Sequence, residues 1–163
     1  MEWFALRVKP RTERVVAAML DGKGYERLLP LHMERRRWSD RITTVEAPVF
    51  AGYVFCRFDV QKRLPILTTP GVLSVVGIGK APYPIDDAEI ESIRVLSASG
   101  LAVEPHAFLH EGQRIEIVAG PLTGATGVLM SVKGRDRLIV SVTLLQRSVS
   151  VEVPQSCAWP IGA

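Results

Sequence analysis

Apolar positions along this chain change their period several times, and each change marks an element. Trp3 to Val8 has the texture of a first strand. From Arg11 to about Asp21 the apolar residues Val15, Val16, Ala18, Met19 and Leu20 fall at helical spacing, with Arg11 and Arg14 expected in solvent. Pro10 suits the opening turn of that helix, where a missing N–H costs nothing, and Gly22 and Gly24 end it. Glu26 to Leu29 reads as a short strand, and His32 to Val45 as a charged hairpin turning near Asp40. Tyr53 to Phe58 is β-branched and aromatic, which predicts a strand. Strict alternation puts Tyr53, Phe55 and Arg57 on one face and Val54, Cys56 and Phe58 on the other. The second face reads as core. The first allows two readings: a face covered by a helix, or an aromatic face partly open to a partner.

Beyond this strand, Val60 to Leu67 predicts a short helix disturbed by Pro65. Thr68-Thr69-Pro70-Gly71 is a turn and Val72 to Val76 a strand. Asp86 looks like a helix N-cap, with Glu89 as its capping-box partner and Ile90, Ile93 and Leu96 as the apolar stripe. Leu101 to Ala107 is the linker candidate. After Phe108 the texture becomes short strands and glycine turns: Gln113–Val118, Val128–Val132, Arg137–Thr143 and Ser148–Val153. Leu138, Val140 and Val142 share a face, as do Val149, Val151 and Val153, and a small barrel would bury both rows. The expected class is α+β. An N-terminal antiparallel sheet flanked by helices (1–100) is followed by a linker (101–107) and a small all-β barrel (108–163).

Composition narrows the function. No apolar run reaches the about 18 residues of a membrane span, and the N-terminus lacks a signal-peptide pattern, so the expectation is a cytoplasmic protein. Cys56 and Cys157 form no CxxC and are expected as free thiols. Charge is unevenly spread: residues 1–63 hold 13 Lys and Arg against 8 Asp and Glu, while residues 64–163 hold 7 against 9. The basic half is therefore the side expected to meet a polyanion such as nucleic acid. Arg35, Arg36 and Arg37 with adjacent Trp38 could grip phosphates and stack on a base, or could be a solvated hairpin with the indole folded back. His32, His106 and His110 are scattered, no phosphate loop or nucleophile arrangement is present, and Asp86 and Asp87 are explained by capping. The sequence predicts no enzyme, no metal and no cofactor.

Two separated motifs then coincide. Gly112, Ile115, Ile117, Gly120, Pro121, Gly124, Gly127 and Val128 resemble, in residue and spacing, the KOW motif. Trp3-Phe4, Phe50-Ala51-Gly52-Tyr53-Val54-Phe55, Gly71-Val72 and the helix start at Pro84-Ile85-Asp86 resemble the N-terminal domain of the NusG family of transcription factors. The basic hairpin and short length look like the specialised antitermination paralogues of the RfaH and UpxY types. The resemblance implies a monomer that binds the clamp helices of RNA polymerase, suppresses pausing or termination, and recruits a ribosomal protein or termination factor through the KOW domain.

By the same resemblance, Phe50, Tyr53 and Phe55 would face the clamp, and Thr68 and Thr69 would lie near the opposite polymerase lobe. Lys9, Arg11, Arg35, Arg36, Arg37 and Trp38 are the candidates for exposed non-template DNA. Two alternatives stay open: a general housekeeping factor, and a ribosome-associated RNA-binding protein. The chain departs from the family pattern at Ala51, at Leu122 and at Leu144-Leu145-Gln146-Arg147, the last two where a barrel partner would dock. One relative type refolds its KOW domain into helices; the density of Val, Ile, Ser and Thr over Leu138–Val153 predicts strands here.

Overall fold

The computed structural model describes residues 1–109 and 111–161, and of Val132 the backbone only. β1 (Glu2–Val8), α1 (Glu13–Gly22) and β2 (Glu26–Leu28) lead to the hairpin strands β3 (Leu31–Trp38) and β4 (Arg41–Pro48), then to β5 (Tyr53–Phe58). A 3-10 turn at Val60–Lys62 precedes α2 (Leu64–Leu67), β6 (Val72–Val75), the two-residue strands β7 (Gly77–Ile78) and β8 (Ala81–Pro82), and α3 (Asp87–Ala98). Six strands follow: β9 (Val103–His106), β10 (Arg114–Ile117), β11 (Thr126–Val132), β12 (Arg135–Val142), β13 (Arg147–Glu152) and β14 (Ala158–Pro160). The chain divides into two units, one of 1–29 with 50–87, the other of 30–49 with 88–163. The class is α+β, as the pattern predicts.

In the first unit the sheet order is β2-β5-β1-β6, with antiparallel pairing throughout. Val54, Cys56 and Phe58 of β5 join Phe4, Leu6 and Val8 of β1 against Val16, Ala17 and Leu20 of α1 and against Ile66. This is the core face that alternation predicts. Each of the valine, leucine, isoleucine and phenylalanine side chains among them contributes on the order of 1.5–3 kcal/mol by leaving water.

Helix α1 differs from the expectation at its start and in its buried stripe. Pro10 and Arg11 form a turn, and Arg11 takes φ 65°, which no helix can continue through. The helix therefore begins at Glu13. Its buried side is Glu13, Val16, Ala17 and Leu20, while Val15 is 59% exposed. Spacing of three and four residues selects that stripe, and Val15 lies one residue outside it. The acidic member is held by a bond: the Gly52 N–H donates to the Glu13 carboxylate at 2.9 Å. At Gly71 (φ 97°) a Cβ would sit 2.8 Å from Val16 Cγ2, so glycine is required for β6 to start beside α1.

In the second unit β3 and β4 form a two-stranded ladder closed by Ser39 and Asp40. In α3 the predicted stripe Ile90, Ile93 and Leu96 is buried, and Ser92 is buried with it. The Ser92 hydroxyl oxygen accepts the Thr126 N–H at 3.0 Å. Glu89, read from the sequence as a capping-box member, accepts the N–H and hydroxyl of Thr143 at 3.2 and 2.7 Å.

The large sheet runs β14-β10-β11-β12-β13-β9, so its edges are strands of three and four residues. Val103–His106, within the stretch read as a linker, is a strand paired with β13. Both predicted apolar rows, Leu138/Val140/Val142 and Val149/Val151/Val153, are buried. From Leu138 to Glu152 the chain is strand apart from the 3-10 turn at Thr143–Leu145 and the left-handed Gln146 that closes it. At Gly127 a Cβ would run into the Ile139 carbonyl, which lets β11 and β12 approach closely.

Candidate nucleic-acid and partner interface

The aromatic face of β5 is graded in exposure. Phe55 is fully buried and Phe50 nearly so, their rings edge to face with centroids 5.4 Å apart. Tyr53 is half-buried at the start of the strand. Its N–H donates to the Phe50 carbonyl at 3.1 Å. Next to it Gly52 is fixed twice, by the Glu13 carboxylate and by accepting the Val8 N–H at 2.9 Å. Tyr53 is thus presented from a turn that the core and α1 hold in place.

The same end of this sheet gathers other predicted residues. Lys9 donates its N–H to the Gly71 carbonyl at 2.9 Å, which brings the Lys9–Arg11 turn beside the loop of Thr68 and Thr69. Lys9, Arg11 and Thr68 are exposed. Thr69 is buried; its hydroxyl donates to the Pro65 carbonyl at 2.9 Å and receives Lys23 Nζ at 2.8 Å. Its side chain therefore braces the loop, and Thr68 carries the accessible surface.

The hairpin separates the three arginines. Alternation along β3 and its register with β4 put Met33, Arg35 and Arg37 on the face of Ile42 and Thr44. That face is open, with Met33 62% and Ile42 59% exposed. Arg36 and Trp38 lie on the other face, opposite Thr43 and Arg41. Arg36 pairs with Glu34 at 3.3 Å, whereas Arg35, Arg37 and Arg41 have no ion-pair partner among the described residues. Trp38 is 55% exposed and, with Ser39, Asp40, Arg41 and Thr43, lines an open recess at the hairpin tip. Ser39 takes φ 49°, which lets two residues close the turn. Arg41 belongs to the basic hairpin but stands outside the sequence-predicted nucleic-acid candidates. A two-residue loop at Ser39-Asp40 is the signal that pairs it with Trp38.

The motif residues of the C-terminal sheet have structural roles. Ile115, Ile117 and Val128 are buried, and Gly112, Gly120 and Gly124 occupy positive-φ positions in its turns. Pro121 follows Gly120 in the β10–β11 loop, where the Ile117 N–H meets the Ala125 carbonyl at 2.9 Å. Leu122 and Leu145, at the departures from the family pattern, are buried.

Burial pushes the Cys56 thiol up to about 12. A hydrogen bond from Arg27 holds the exposed Asp21 carboxyl below its usual value. Among the described residues no three His, Cys, Asp or Glu side chains gather as metal ligands, and His110 lies outside those residues. No described helix is long and apolar enough to cross a membrane.

Comparison with known proteins adds a lineage. The family model described as transcription termination factor NusG matches residues 1–94. The transcription termination/antitermination protein NusG of Thermus thermophilus is 27% identical over 176 aligned positions, spanning 94% of this chain and 95% of that one. Its namesake in Borreliella burgdorferi is 30% identical over 120 positions, 66% and 65% of the two chains. A solved structure of domain interaction in Thermotoga maritima NusG shares the fold at TM-score 0.54 and 22% identity, covering 99% of this chain and 97% of that one. With more than half its length matched by that family model, this chain belongs to the NusG family.

Proposed function

We propose that this protein is a transcription elongation and antitermination factor that docks on the RNA polymerase clamp. The observation that carries this reading is the match to relatives named termination/antitermination protein over both halves of the chain. Tyr53 is the contact residue, and the buried Phe50–Phe55 pair fixes the strand that presents it. Thr68, exposed beside Thr69, faces the opposite lobe. A protein that binds the closed clamp better than the open one shifts the population away from paused states and needs no bond chemistry. The C-terminal strands recruit a second protein, such as a ribosomal protein or termination factor. Lys9, Arg11 and the hairpin arginines meet exposed non-template DNA.

The test is binding to a reconstituted elongation complex. Tyr53→Ala is expected to lose most of the affinity while keeping the wild-type fold. Unchanged binding of the folded variant would sink the docking role of this strand. Phe55→Ala is a poor substitute, because emptying a fully buried site confounds docking with unfolding. A second reading, a general factor acting at most genes, is favoured by the plain NusG naming of the matched relatives. Genome-wide occupancy separates it from an operon-specific factor.

A further inference from the structure

We infer that the tip of the β3–β4 hairpin is a stacking site for one unpaired base of single-stranded DNA, with Trp38 as the platform and Arg41 as the phosphate partner. This rests on the nucleic-acid part of the proposed function and assigns it to one face of the hairpin. Four observations converge there. Trp38 exposes more than half of its surface on a narrow two-stranded ribbon. Directly across the closing pair stands Arg41, a cation without an ion-pair partner among the described residues. The two side chains border one recess, which Ser39, Asp40 and Thr43 also line. Thr43 Oγ1 is shut from solvent with no hydrogen-bond partner among the described residues, a cost that a polar group brought to the recess could relieve.

An aromatic face beside a cation is the arrangement that holds a base and its phosphate without reading sequence. Duplex is a poor ligand for it, because paired bases keep both faces stacked. Arg36 lies on the same face two residues before Trp38 and adds charge moderated by Glu34. Arg35 and Arg37 face away. They attract a polyanion from the other side of the ribbon and take no part in stacking. DNA is chosen over RNA because the proposed function already assigns these cations to exposed non-template DNA.

The experiment uses the full-length protein and fluorescence anisotropy, with an oligothymidylate of about a dozen nucleotides and the matching abasic oligomer. Wild type is expected to prefer the base-bearing strand by about tenfold. Trp38→Ala should erase that preference, and Trp38→Phe should restore much of it. Arg41→Ala should weaken binding of both oligomers and leave the preference in place; the Arg35→Ala/Arg37→Ala double variant should do the same. A preference that survives in Trp38→Ala, or is absent in wild type, would overturn the site. Tighter binding of oligouridylate than of oligothymidylate would overturn the choice of DNA. Because no polymerase is present, either failure leaves the clamp-docking reading to its own test with Tyr53→Ala.

Discussion

Tyr53 and Phe55 stand two positions apart on the same face of one strand, yet one is half-buried and the other fully enclosed. Alternation identifies the face and says nothing about where along the strand cover begins. Phe55→Ala is therefore expected to lower unfolding free energy by about 3–5 kcal/mol in urea titrations, whereas Tyr53→Ala should cost less than about 1 kcal/mol. The cysteines give a second contrast. Cys56 is buried with its thiol pushed up to about 12, and Cys157 is partly exposed. Native protein at mildly alkaline pH should take up one equivalent of a thiol reagent, and two after unfolding. The sign is that of a raised value. The neutral Cys56 thiol favours the fold below its unfolded-state value of 9.0, and that contribution is lost as pH rises towards about 12.

At the scale of elements, α1 shows how a correct helix can be given the wrong stripe. The apolar residues of 15–20 are contiguous enough to support more than one face. The structure chose the one that includes Glu13, because its carboxylate caps the Gly52 amide. Val15→Lys should leave the melting temperature unchanged within error, while Val16→Ala should cost about 2 kcal/mol by calorimetry. In the C-terminal sheet the close approach of β11 to β12 makes Gly127→Ala destabilising by about 1–3 kcal/mol, through displaced backbone rather than lost contacts. The hairpin strands were legible from turn and charge. Their consequence was not, since three adjacent arginines read as one cluster and the pleat sends the middle one to the opposite face.

Over the whole molecule, charge is concentrated in residues 1–63, which hold 13 Lys and Arg against 8 Asp and Glu. If about three to four of these cations meet phosphates, affinity for single-stranded DNA should fall with salt at a log–log slope of about −2 to −3. A flat salt response would remove the polyanion from the proposed function. An isolated 107–163 fragment should give a β-type circular-dichroism spectrum; a helical one would show that these strands depend on the rest of the chain.

The motifs carried the resemblance to the family, while period and turn residues by themselves determined the α+β class, most strands and the buried rows of the C-terminal sheet. These depend on local propensity and on which residues leave water, and both are written along the chain. Only the tertiary structure decided how much of Phe50, Tyr53 and Phe55 stays accessible, that Thr69 braces a loop while Thr68 is exposed, that Val103–His106 pairs as a strand, and that Arg41 shares a recess with Trp38. Each of those depends on a partner distant in sequence or on the register between two strands. A single position's chemistry carries no record of what the fold sets across from it.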